Sequence, residues 1–247
     1  MKQTRVMWDM PITVELRDAE NSEGLIDAVY SYFQHVDDTF STFKPTSEIS
    51  RINRKELVEH EWSADMREVV ALCEQTRIDT RGFFSYIRDG EIHPLGLVKG
   101  WALHKAADML RGKGVKNFFI EAGGDVEISG VSAPNVPWSV GIRDPFYRKD
   151  IVKKLLLTDC GVATSGTYIR GYHIYNPFAP DTNVAGVTSL TVVGPNAYEA
   201  DRFVTPAFAM GIKGVEFIET VGGLEGYQID ARGMATFTSG FERYVDH

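Results

Sequence analysis

Apolar positions along this chain follow two periods, and the period changes from one segment to the next. Steps of three and four bring Leu25, Ile26, Val29, Tyr30, Phe33, Val36 and Phe40 onto one face, after Asn21 and Ser22, either of which can cap a helix start. The same spacing recurs over residues 64–78 in Met66, Val69, Val70, Leu72, Cys73 and Thr76, with Ser63 as cap. It appears again from Leu95, where Val98, Trp101, Ala102, Ala106, Met109 and Leu110 form the inward face and Gly112 and Gly114 close the segment. A fourth helix is expected from about Ala197 to Met210. Pro206 falls inside it, removes the bond to the Arg202 carbonyl and favours a kink.

Alternation with period two marks the strands. Val6, Ile12, Val14 and Leu16 suggest a broken strand or a hairpin around Pro11. Gly82 to Pro94 reads as two short strands joined by the Asp89-Gly90 turn, and Phe118 to Gly130 as strand, Gly123-Gly124-Asp125 turn, strand. Further strands are expected at 138–142, 152–157, 187–193, 215–219, 226–230 and 234–238. Between the first two helices, Phe40 to Asn53 is rich in hydroxyls and broken by Pro45; Ser47, with Ser50 and Asn53, opens a short helix there, or the segment stays a surface loop. No long linker or repeat interrupts the pattern, so residues 1–247 are expected to form a single α+β domain with mixed or antiparallel sheets and packed helices.

Composition narrows the function. A chain of 247 residues with 43% hydrophobic and 24% charged positions is an ordinary globular sequence long enough for a substantial core. Its net charge of −8 disfavours a polyanion, so no nucleic-acid partner is expected. The two cysteines, Cys73 and Cys160, have neither disulfide-framework nor zinc spacing, and Cys73 falls on an apolar helical face. The first residues hold no apolar run of signal-peptide length and nothing later suits a membrane span, so a cytoplasmic protein without membrane insertion is expected.

The richest stretch chemically is Gly161 to Pro177. Gly161, Ala163, Ser165 and Gly166 let backbone run close to a partner, Thr164, Ser165 and Thr167 supply short donors, and His173 follows. This density of small residues argues for a ligand site rather than core; a turn-rich connection between strands is the alternative. Lys99, beside Gly100 near a helix start, suits an anion, or is a solvated lysine. The Gly123-Gly124-Asp125 turn is neither GxGxxG nor a P-loop, so any nucleotide is held another way. Asp201 and Thr205 stand four apart, their oxygens on one helical face, a set suited to Mg²⁺ or Ca²⁺, though such a pair commonly marks an exposed face. A serine hydrolase built on Ser165, His173 and Asp201 lacks the Gly-x-Ser-x-Gly elbow.

Six pieces in order, Phe40-Ser-Thr-Phe…Ser-Glu-Ile-Ser-Arg-Ile-Asn53, Gly96-Leu-Val-Lys-Gly100, Gly123-Gly-Asp125, Ala163-Thr-Ser-Gly166, His173-Ile-Tyr-Asn-Pro177 and Ala200-Asp-Arg-Phe-Val-Thr205, resemble the FAD:protein FMN transferases, the ApbE-like flavin transferase family. The resemblance implies a T-fold-related domain that binds FAD and Mg²⁺ and moves FMN from FAD onto a threonine or serine hydroxyl of an acceptor protein, releasing AMP. FAD hydrolysis to FMN and AMP, or flavin binding without turnover, are the alternatives it leaves. It further implies FAD contacts from Lys99, Gly123, Gly124 and Asp125, from Met7 and Phe43 on the flavin side, and from Phe84, His93, Thr164, Ser165 and Gly166. Gly96 (through its carbonyl), Asp201 and Thr205 would hold the metal, and His173, whose imidazole can accept a proton near neutral pH, would be the base. Ser85 and His93 stand where the family commonly has aspartates, Asn176 replaces another, Phe178-Ala-Pro-Asp replaces a Thr-Gly turn, and Pro206 replaces a small residue.

Overall fold

The computed structural model describes residues 1–147, 150–167 and 174–247. The chain opens with a hairpin of β1 (Lys2–Met7) and β2 (Met10–Leu16), whose turn is Trp8-Asp9 rather than Pro11. Both turn residues take positive φ (53° and 57°), the handedness that matches strand twist, while Pro11 sits one residue into β2 opposite Val6. Three helices follow: α1 (Ser22–Phe40), capped by Asn21 on the Gly24 amide, α2 (Glu48–Asn53), capped by Ser47, and α3 (Ala64–Asp79), capped by Ser63. The hydroxyl-rich stretch thus takes its helical option. Next come the small hairpin β3 (Ile87–Arg88) and β4 (Glu91–Ile92), turned at Asp89-Gly90 as expected, and α4 (Leu95–Gly112).

The remaining elements are β5 (Phe118–Ala122), β6 (Asp125–Ser129), β7 (Trp138–Arg143), β8 (Ile151–Leu157), β9 (Cys160–Gly166), β10 (Tyr175–Asn176), β11 (Ala179–Asn183), β12 (Val187–Gly194), α5 (Ala197–Ala209), α6 (Gly214–Thr220), β13 (Glu225–Asp230) and β14 (Ala235–Phe237). Among the described residues, eight strands form one antiparallel sheet in the order β1-β2-β5-β6-β9-β12-β13-β14. Helices cover one face, where Ile12, Val14, Leu16, Phe118 and Ile120 meet α1 and α4, and Leu190 and Val192 meet α5. The β7–β8 hairpin and the C-terminal residues cover the other, against Val126, Ile128, Val162 and Tyr227. Cover on both faces is why β6 and most of β9 are buried at consecutive positions instead of alternating.

Three expectations change. Residues 215–219 form α6, not a strand: Val215 and Ile218 are buried three apart, and Gly214 lets the helix lie on the Ala207 carbonyl. Met109 is on the exposed side of α4. The stretch Gly161 to Gly166, read as site rather than core, is the buried central strand β9. Gly161 serves another element: a Cβ there would fall inside the van der Waals radii of Ala197 N and the Asn196 carbonyl, so the start of α5 rests directly on the strand. The short pair β10 and β11 had no counterpart in the sequence reading.

Gly161→Ala is expected to lower unfolding free energy by about 2 kcal/mol or more, because the clash is with backbone that cannot rotate away. Urea titration checks this; a loss within a few tenths of a kcal/mol, the scale of a simple surface change, would mean that α5 is not seated there.

Candidate active site

Four elements converge at the end of the sheet where β5 turns into β6. The turn itself is Gly123-Gly124, both with positive φ (59° and 98°), and it packs on Met10: a Cβ on Gly123 would meet Met10 Sδ at 2.7 Å. Asp125 opens β6 immediately after it. Lys99 lies near the start of α4, Asp201 and Thr205 on α5, and Thr164 and Ser165 at the end of β9.

Asp125 and Asp201 are 1% and 4% exposed, so both carboxylates are out of bulk water. Lys99 Nζ lies 2.5 Å from Asp125 Oδ2 and 3.9 Å from Asp201 Oδ1. The first is a close ion pair, and Asp125 Oδ2 has no hydrogen-bond partner among the described residues. Asp125 Oδ1 accepts from the Thr164 amide at 3.1 Å, which ties the turn to β9. Asp201 Oδ2 accepts from the Gly100 amide at 2.7 Å. The regular helical acceptor for that amide is the Gly96 carbonyl, the oxygen assigned to a metal by resemblance. Gly100 has to be glycine here, since a Cβ would meet Asp201 Cβ at 2.5 Å and the Ala197 carbonyl at 2.6 Å. Burial pushes the Asp201 carboxyl well above its ordinary range, Lys99 opposes that shift, and Asp125 adds to it.

The remaining predicted residues are distributed around this cluster. Ser165 Oγ and Thr205 Oγ1 are 3.1 Å apart, and Thr164 Oγ1 pairs with Thr191 Oγ1 at 2.9 Å, so these hydroxyls have protein partners. Gly166 ends β9 opposite Ser189. Met7 pairs with Met10 in the first hairpin, at the end of the sheet that carries Gly123. Phe84 is buried core beneath α4; a Cβ on Gly96 would touch its ring at 3.3 Å. His93 precedes α4, with its amide on the Tyr86 carbonyl at 2.7 Å and its ring 3.5 Å from Glu91. Phe43 is 88% exposed in the loop after α1 and takes no part in the hydrogen bonds or ion pairs of the cluster. His173, the predicted base, lies outside the described residues. Two open depressions, beside Arg111 and Asp159 and between Phe146 and Arg232, lie away from the cluster.

A further buried carboxylate, Glu127, escaped the sequence reading. It accepts from the Ala197 amide at 2.5 Å and from Arg111 at 2.9 Å, with His104 Nδ1 at 3.3 Å. The signal was present: Glu127 shares a strand face with Asp125, and His104 and Arg111 stand seven apart on one face of α4.

This sheet order, with helices packed on one face, defines an α+β fold. The ApbE protein of Thermotoga maritima superposes with a TM-score of 0.87 over 100% of this chain and 99% of that chain, at 20% identity, a likeness of fold. Residues 8–87 and 88–227 match the ApbE family, and the chain belongs to it. An FAD:protein FMN transferase of Vibrio cholerae is 30% identical over 124 residues, 47% of this chain and 37% of the relative. Another, of Klebsiella pneumoniae, is 26% identical over 152 residues, 57% of this chain and 43% of the relative. The matched stretch thus spans less than half the length of these curated relatives.

The hydrogen bond to Glu127 raises the His104 pKa above its ordinary 6.5. The folded state therefore holds a proton that the unfolded state has released, so this contribution is complete below about pH 6.5 and is lost as pH rises through the folded value. Urea unfolding of the wild type and His104→Gln between pH 5.5 and 8.5 is expected to show the largest gap at low pH, narrowing as pH rises. A gap constant across the range would contradict the assignment.

Proposed function

We infer that the chain is a Mg²⁺-dependent FAD:protein FMN transferase. The observation that carries the reading is the buried cluster of Lys99, Asp125 and Asp201 at the Gly123-Gly124 turn, in a chain of the ApbE family. Among the described residues it sets two carboxylates against one ammonium, and the donors that the family resemblance assigns to a metal are all oxygens: the Gly96 carbonyl, Asp201, and the Thr205 hydroxyl. Such a set fits a hard divalent cation and not zinc. Among the described residues no group of three or more His, Cys, Asp and Glu side chains is placed to hold a metal by itself, so carbonyl and hydroxyl oxygens, together with substrate, would complete the site. When bound, Mg²⁺ would supply neutralisation of charge on the phosphate oxygens.

The chain's own residues do the rest. Asp125 holds Lys99 in place, and the ammonium offers a substrate pyrophosphate a preorganised positive charge that needs no rearrangement as negative charge builds. The acceptor hydroxyl oxygen bonds to the FMN phosphorus of FAD, the pyrophosphate P–O bond breaks, and AMP leaves. His173 takes the hydroxyl proton. The residues from 1 to 247 act as one domain, and no helix among the described residues is long and apolar enough to cross a membrane. Neither cysteine is bridged, which fits a reducing compartment and a cytoplasmic acceptor.

Incubating the protein with FAD, with and without Mg²⁺, and following AMP, FMN and the mass of a threonine-containing acceptor tests the reading. Mg²⁺-dependent AMP with acceptor mass gain is expected; AMP with free FMN and no labelling of any acceptor would make it a pyrophosphatase, and FAD left intact would end the proposal. Asp201→Asn is expected to lower Mg²⁺-dependent turnover by about a hundredfold or more, while thermal stability is kept or raised because the change relieves the crowding of two buried carboxylates around one lysine. Full turnover in this variant at ordinary Mg²⁺ would remove Asp201 from the metal site. His173→Ala should cost about a hundredfold or more in rate with FAD binding retained, and an unchanged rate would take His173 out of the chemistry.

A further inference from the structure

Glu127 has no exposure at all, and a carboxylate so placed is tolerated only with its oxygens satisfied. Its three partners come from two helices. Ala197 is the first residue of α5, while His104 and Arg111 belong to α4. One side chain thus joins the strand that carries Asp125, the helix that carries Gly96 and Lys99, and the helix that carries Asp201 and Thr205. Asp201 follows Ala197 by four residues, about one helical turn, so the amide held by Glu127 and the Asp201 carboxylate share one rigid turn. Gly161 sets how closely that turn approaches the sheet, and Glu127 sets where along the sheet it stands. Negative charge at the start of a helix also suits the helix dipole, which is all a simple stabilising cap would need. A simple cap does not need an arginine and a histidine drawn from the lysine-bearing helix.

We propose that Glu127 is a positioning residue: with His104 and Arg111 it clamps the first turn of α5 to β6 and α4 and thereby places Asp201 for a divalent cation. The proposal rests on the reading of Asp201 as a metal ligand. Glu127 itself touches no reacting group.

Glu127→Gln tests it, since glutamine keeps the volume and an acceptor for the Ala197 amide while removing the charge that Arg111 and His104 face. In metal-free protein, amide hydrogen exchange is expected to quicken at 197–201 and to stay unchanged across β12 and β13. The Mg²⁺ concentration giving half of the thermal stabilisation should rise about tenfold or more, with FAD affinity measured without Mg²⁺ unchanged. Exchange that quickens evenly over the sheet, or a lowered melting temperature with the same Mg²⁺ half-saturation, would overturn the proposal and leave Glu127 a structural cap. Should Glu127→Gln fail to fold, Arg111→Gln, at a half-exposed side chain, is expected to show the same pattern at smaller size, and its absence counts against the clamp equally. A wild type whose melting temperature ignores Mg²⁺ would sink the metal reading, and exchange at 197–201 would still decide whether Glu127 holds the turn.

Discussion

The contact on which the site depends is that of the first turn of α5 with the chain around it. Backbone meets backbone at Gly161 on β9 and at Gly100 on α4, with no space for even a methyl group at either position. Protein interiors are dense enough that such a contact fixes position to a fraction of an ångström. Burial of Asp201 follows from it, as does the reach of the Gly100 amide to that carboxylate and of Ser165 to Thr205. Close approach of backbone thus brings the buried carboxylates and hydroxyls together.

Charge is organised along the same seam. Asp125 and Glu127 project from one strand toward the helical layer, and α4 answers with Lys99 for the first and with His104 and Arg111 for the second. Buried ion pairs of this kind add little net stability, because desolvation offsets most of the attraction. What they do impose is register, since a slip of β6 by one residue would turn both carboxylates to the opposite, apolar layer formed by Trp138, Leu155 and Phe241. The alternation Asp-Val-Glu-Ile therefore locks β6 against α4 twice.

The sequence made the helices and most strands legible, α1 and α3 most clearly, because they carry both an apolar stripe and a side-chain cap at Asn21 and Ser63. It misled where composition and period disagreed. Val215 to Glu219 has strand-like residues at helical spacing, and spacing prevailed once Gly214 let the segment lie on α5. Within the site, Lys99, Asp125 and Asp201 were found from separate motifs, but that Lys99 faces both carboxylates is a property of folding and not of any one motif. The small residues of β9 were read as a site, and for Gly161 the structure supplies another reason: glycine reports that something comes close, and there it is the backbone that starts α5. Glu127 was missed because a lone acidic residue in a strand ordinarily faces water, and only cover on both faces of the sheet makes it a buried group.

Two hydroxyl pairs complete the picture. Ser165 with Thr205, and Thr164 with Thr191, occupy groups that the bare sequence offered as ligand donors. A hydroxyl can donate one bond and accept others, so Thr205 Oγ1 keeps lone-pair capacity for a cation whether or not Ser165 is its neighbour. Ser165 orients that oxygen toward one side of α5, the side on which Asp201 stands four residues earlier. Thr164, in contrast, acts through its backbone, donating its amide to Asp125 while its side chain crosses to β12. Adjacent residues of one strand thus serve opposite ends of the cluster: Thr164 steadies the carboxylate that holds Lys99, and Ser165 steadies the helix that carries Asp201. That division explains why a strand this rich in small and hydroxyl residues belongs to the core and to the site at once.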